Sequence, residues 1–213
     1  MNFIKNTTIS NFCLLLTLSF ILIFATSHFI LTPSFYKDNG EQLSALSPDS
    51  ATPYSGMLEW IYLFQAVYLI IKLSIVSLIL YTALYLRNAE VRFWRIFNVV
   101  TVAEYLFVVA AFVKIVYFSR YYAAGTLLDW HRVYMLSALS LFEAVPADWF
   151  YPLQTLNLFE VAYWFLLAWG IARTGGMEFD KALNVVATSY LPALLIWVAC
   201  VVFCTLMFFP QQG

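Results

Sequence analysis

The chain has 213 residues, of which 63% are apolar and only 11% charged, with a formal net charge of -1. A soluble domain carries about 25% charged and about 45–50% apolar residues, and a water-soluble chain of this length could not hide so much apolar surface. A surface for nucleic acid is excluded as well, because phosphate binding needs clustered Lys and Arg. A mean hydropathy of +0.81 makes the lipid bilayer the expected surroundings.

Five apolar stretches follow one another, each near the roughly 20 residues that cross a hydrocarbon core. They cover 11–31, 60–86, 96–119, 156–173 and 184–209. None alternates with the period of a barrel strand, so the expected fold is all-α: a polytopic helix bundle of about five spans in one domain, 1–213. Lys5 and the run Cys13–Ala25 before Ala25-Thr-Ser27 also resemble a signal peptide. The apolar continuation through Phe29, Ile30 and Leu31 favours a retained span.

The first connection holds Pro33, Gly40, Pro48, Pro53 and Gly56, a breaker-rich loop. The short connection Arg87–Arg95 is basic. Gly175 and Gly176 supply a C-cap and turn between the fourth and fifth spans. With the N-terminus inside, the inner segments hold Lys5, Arg87, Arg92, Arg95, Arg173 and Lys181. The outer ones hold Lys37, Arg120 and Arg132, so the positive-inside rule gives an N-in, C-out orientation.

Between the third and fourth spans, 120–155 is too aromatic for an ordinary loop. It reads either as an interfacial helix on the outer leaflet, anchored by Trp130, Trp149, Phe150 and Tyr151, or as a compact cap over the bundle. Pro192 lies inside the fifth span, where its missing N–H and ring clash predict a kink.

Four charges fall within spans: Lys72, Glu104, Lys114 and Glu160. Charge at the bilayer centre is costly, so such residues face protein or water and seek partners. Counting 1.5 Å per residue puts Lys72 about 18 Å and Glu104 about 22 Å below the outer ends of their helices. Lys114 and Glu160 lie only about 6–8 Å below theirs. Two acid–base layers are expected, Lys72 with Glu104 and Lys114 with Glu160. They act either as structural pins or as part of an ion or proton path. Polar stripes (Gln65 and Lys72; Asn98, Thr101 and Glu104; Asn157 and Glu160; Asn184 and Thr188) mark the second to fifth spans as the core, with the first at the edge.

No metal site is expected, since His28 and His131 lack a second ligand at metal spacing. Cys13, Cys200 and Cys204 lie in apolar runs and form no disulfide framework. No HExxH, GxSxG, Walker A or GxGxxG pattern occurs, so neither catalysis nor a cofactor is expected. The segment Trp169-Gly-Ile-Ala-Arg173, the Gly175-Gly176 turn and the run from Glu178 to Tyr190-Leu191-Pro192 resemble the YIP (Ypt-interacting protein) family. That resemblance implies five spans, an N-in, C-out topology and no catalytic residues. The acidic-Leu-Tyr-Gly-Pro motif of the family's eukaryotic members is absent, which points to a bacterial inner-membrane relative. The expected function is a scaffold or accessory subunit beside other membrane subunits. The alternative is a small transporter or ion- or proton-conducting module using the buried Lys and Glu residues.

Overall fold

The computed structural model describes residues 2–32, 35, 52–122, 125–142 and 145–208. Seven α-helices form within them: α1 (Asn2–Phe29), α2 (Thr52–Leu86), α3 (Phe93–Tyr121), α4 (Leu127–Arg132), α5 (Ala147–Thr155), α6 (Leu158–Gly175) and α7 (Phe179–Phe208). Within α1, α2, α3 and α7, the stretches Thr7–Phe29, Trp60–Leu86, Phe93–Tyr121 and Phe179–Met207 are long and apolar enough to cross a membrane. The chain is therefore an all-α, multi-pass membrane helix bundle.

Four helices meet that standard, against the five spans expected. The expected span 156–173 is α6, whose 18 residues reach about 27 Å. Glu160, Arg173 and several amphipathic Trp and Tyr rings make it less apolar than the others. The other four long helices also start earlier than expected. Thr52 opens α2, which absorbs Pro53 and Gly56 from the presumed loop; proline is tolerated in a first helical turn, where its missing N–H had no partner to lose. Most of the first connection lies outside the described residues.

Neighbouring helices run up and down. Tyr81 meets Phe93 across α2 and α3, with ring centroids 5.8 Å apart. Phe107 meets Tyr163 across α3 and α6 at 5.0 Å, and Tyr163 meets Tyr190 across α6 and α7 at 5.7 Å. Helix α1 lies parallel to α3 and packs chiefly against it. It is at the edge, as expected, yet it is bonded by polar groups. Asn11 Nδ2 donates to Asn98 Oδ1 at 2.8 Å, and the Tyr105 hydroxyl donates to the Asn11 carbonyl at 2.7 Å.

One close approach fixes α3 against α6. A Cβ on Gly170 would stand 2.4 Å from Val99 Cγ1, so only glycine fits there. Lipid offers no hydrophobic drive to helix association, and small residues let backbones gain contact instead. Gly176 ends α6 in the left-handed region (φ 62°) and donates its N–H to the Ala172 carbonyl. This is the helix stop that the glycine pair predicts.

The main buried core occupies one half of the bundle. Leu73, Leu80, Ile96, Val100, Leu167, Ile171 and Val186 are wholly sequestered there. On α7 burial stops at Tyr190, and no described residue beyond it is buried. The helix runs on through Pro192 to Phe208 without a break. Proline removes the helical hydrogen bond to the carbonyl four residues earlier, that of Thr188.

Segment 125–157 covers the other end. The single interfacial helix expected there is replaced by α4, a 3-10 turn at Ala138–Leu141 and α5. Leu136 interrupts any longer helix with a φ of 57°, a backbone region that residues bearing a Cβ rarely adopt. An antiparallel bridge between Ser137 and Asn157 then ties the turn to the start of α6. A full capping box starts α4, with Thr126 and Asp129 each accepting the other's backbone N–H.

Candidate functional site

The four charges expected within spans fall at three places. Lys72 Nζ and Glu104 Oε1 are 2.5 Å apart, which joins α2 to α3 as their depths predict. The expected Lys114–Glu160 pair does not form. Glu160 is the third residue of α6, and its N–H is capped by Asn157 Oδ1 at 2.7 Å. Its Oε1 accepts from the Tyr190 hydroxyl at 2.7 Å and from Trp164 Nε1 at 3.0 Å. Neutral donors satisfy this carboxylate.

Lys114 instead lies beneath the cap, 4.3 Å from the centroid of the Trp130 ring and 4.2 Å from that of Tyr134. Rings attract a cation through their negative faces. Among the described residues, no carboxylate comes within salt-bridge distance of Lys114.

The reason is angular. Ten residues at 3.6 per turn leave Lys114 about 80° round α3 from Glu104. Glu104 therefore meets α2, whereas Lys114 turns toward α1 and α4.

Two further oxygens at the ion pair, Glu104 Oε2 and the Tyr163 hydroxyl, are buried without a well-formed hydrogen bond among the described residues, and the hydroxyl stands beside the Glu104 carboxylate. Tyr163 has its ring between Phe107 and Tyr190. Lys72 Nζ also stands 4.3 Å from the Phe107 centroid. No apolar pattern marks Tyr163 or Tyr190 as neighbours of the charges; the signal available in the sequence was their place opposite Glu104 and Glu160 on antiparallel helices.

Lys72 also separates two cavities. One, of about 550 Å³, lies between α1, α2 and α3 under Trp130, and takes in Lys114 and Glu104. The other, of about 420 Å³, lies between α2, α6 and α7 and takes in Glu160, Tyr190 and Trp197. Tyr68, Lys72 and Phe107 line both. A third, of about 440 Å³, lies within the cap around Arg132 and Tyr134.

The expected aromatic anchors divide in the same way. Trp130 faces inward, edge-on to Phe118 at 5.1 Å. The Tyr151 hydroxyl accepts from Trp197 Nε1 at 2.9 Å and fastens α5 to α7. Phe150 receives the Arg132 guanidinium at 5.7 Å, and only Trp149 is freely exposed. The segment is a cap bonded to the bundle, the compact form of the two that the sequence allowed.

Of the other polar residues, Thr101 donates back to the Phe97 carbonyl, whereas Thr188 accepts from Arg87 at 2.7 Å and so ties α7 to the end of α2. No group of three or more His, Cys, Asp or Glu among the described residues could hold a metal ion.

No family model matches the chain, and no curated protein and no solved structure matches it either.

Proposed function

We propose that this chain is a non-catalytic scaffold or accessory subunit of a larger membrane assembly, with Lys72 and Glu104 acting as a structural pin. The observation that carries this reading is the direct contact of the two charges at the boundary of a sealed core. A conducting module would need a watery path onward from that pair. Below it stand Leu73, Leu80, Val100, Leu167 and Val186, all buried and apolar, with Ser77 and Thr101 the buried polar residues among them. The first cavity stays on the cap side of the pair, and the second passes Lys72 along α2 only as far as Ile79; both end short of the basic end of the bundle at Arg87, so they are recesses rather than a channel.

We read α6 as the fourth of five spans, a reading supported by its packing against both α3 and α7. An N-in, C-out orientation is supported by Arg87, Arg92, Arg95, Arg173 and Lys181 lying at one end of the bundle. This arrangement agrees with the likeness of 169–192 to the YIP family and with a bacterial inner membrane. The outer half of α7, with exposed Leu195, Ile196, Trp197 and Phe203, is the face offered to lipid or to a neighbouring subunit.

The test uses Lys72→Met and Glu104→Gln, singly and together. The scaffold reading expects each single variant to lose folded yield and the double variant to recover it. A Glu104→Gln protein that folds normally but abolishes ion or proton flux in liposomes would overturn it. Purification in mild detergent adds a second measurement, with stoichiometric companion subunits as the expected result.

A further inference from the structure

The cavity between α1, α2 and α3 has three properties that together define a ligand. Its wall is mainly apolar: Leu15, Leu22, Ile23 and Leu69 supply much of it. It reaches lipid at the seam between α1 and α2, where the helices pack only sparsely beside one ring contact, Phe20 edge-on to Tyr62 at 5.2 Å, and where the lining residue Ile61 is exposed. It also carries surplus positive charge. Lys72 is neutralised by Glu104, whereas Lys114 has two aromatic rings and no carboxylate within ion-pair reach among the described residues.

Aromatic rings hold an ammonium without cancelling its charge. A charge in a low-dielectric wall is far more stable beside an opposite charge than alone. The second cavity has the reverse character, since its surplus charge is the Glu160 carboxylate. Of the two recesses, only the first holds a cation without a carboxylate partner among the described residues. Its volume of about 550 Å³ lies within the roughly 300–1,000 Å³ range of small-molecule sites. That is room for one acyl chain.

We infer that this cavity binds a long-chain fatty acid, taken in through the α1–α2 seam. The carboxylate rests on Lys114 beneath Trp130, and the chain lies along α1 toward Leu15. Thr26 and Ser27 line the same mouth. Their hydroxyls already donate to the carbonyls of Leu22 and Phe24, so their lone pairs add no anion selectivity. Lys114 supplies the selectivity.

The test reads tryptophan fluorescence of the purified protein in detergent during titration with a fatty acid brominated at the carbon next to its carboxyl, which places the bromine beside Trp130. Bromine quenches an indole on contact, and Trp130 lines the site. The brominated acid should quench saturably, and Trp130→Phe should remove that saturable component. Lys114→Met should weaken the apparent affinity about 10-fold, the loss of one charge-assisted contact at about 1.4 kcal/mol per decade. The brominated methyl ester, with the same chain and no charge, should give only the linear quenching of detergent partitioning.

Equal behaviour of ester and acid would overturn the inference. So would a saturable component that survives in Trp130→Phe, or saturable quenching by a brominated anionic phospholipid but not by the acid. Should Lys114→Met fail to give a monodisperse protein, the ester comparison and Trp130→Phe decide the matter on intact folds.

Discussion

The two halves of the bundle are built on opposite terms. In the half that holds Leu80, Ile96, Ile171 and Val186, side chains from four helices meet with almost no exposure. In the other half the helices part, two cavities open between them, and an aromatic cap closes over the top. The charges stand where one regime gives way to the other. An ion pair at that level joins α2 to α3 just where apolar packing stops doing so. The lesson is that burial along a membrane helix need not be uniform, and that polar groups collect where it changes.

Several substitutions would break or sharpen this contrast. Removing one member of the boundary pair should have the largest effect. Glu104→Gln leaves the Lys72 ammonium unmatched, and breaking a buried pair costs about 3–5 kcal/mol. The double variant with Lys72→Met should recover most of it, as judged by chemical unfolding in detergent.

Leucine truncation should then separate the halves. Leu80→Ala in the sealed half should cost about 2–5 kcal/mol, while Leu195→Ala on the exposed face of α7 should stay within about 0.5 kcal/mol. Equal costs would mean that the open half is filled in the membrane. Gly170→Ala should cost about 1–3 kcal/mol through overpacking against Val99, read as a lowered melting temperature.

The cap should respond more weakly. Trp197→Phe deletes the donor to Tyr151 and should cost about 0.5–1.5 kcal/mol, with earlier proteolysis of the 142–157 region.

The smallest effect concerns acid. The backbone N–H of Thr126, then its hydroxyl, hold the Asp129 carboxyl below the ordinary aspartate value. A lowered folded-state value stabilises α4 at neutral pH and at all pH above the unfolded carboxyl's range. That contribution is lost as pH falls below this range and through the folded value. Protease nicking near α4 should rise in that acid window, and Asp129→Asn should flatten the response.

Much of the fold was legible because a hydrocarbon solvent imposes simple rules. Runs of apolar residues marked the long helices, and glycine marked the end of α6. Depth arithmetic found Lys72 and Glu104, since both lie mid-helix on neighbouring segments. The same arithmetic failed for Lys114 and Glu160 because distance along an axis says nothing of the angle around it. Lys114 had turned about 80° away, and Glu160 had neutral donors in Tyr190 and Trp164 that no count of charges reveals. The cap was the least legible part. Its shape depends on a left-handed Leu136 and a bridge from Ser137 to Asn157, and neither leaves a periodic trace.

The shared wall between the two large cavities has a further consequence. Tyr68, Lys72 and Phe107 present one face to each compartment, so the partition is a single wall with two sides. An occupant that shifts Lys72 in one compartment reshapes the other at the same moment. Thermodynamics then requires the influence to be mutual, each occupant altering the other's affinity by the same factor. The filling of one recess is in this way reported as a change in the other.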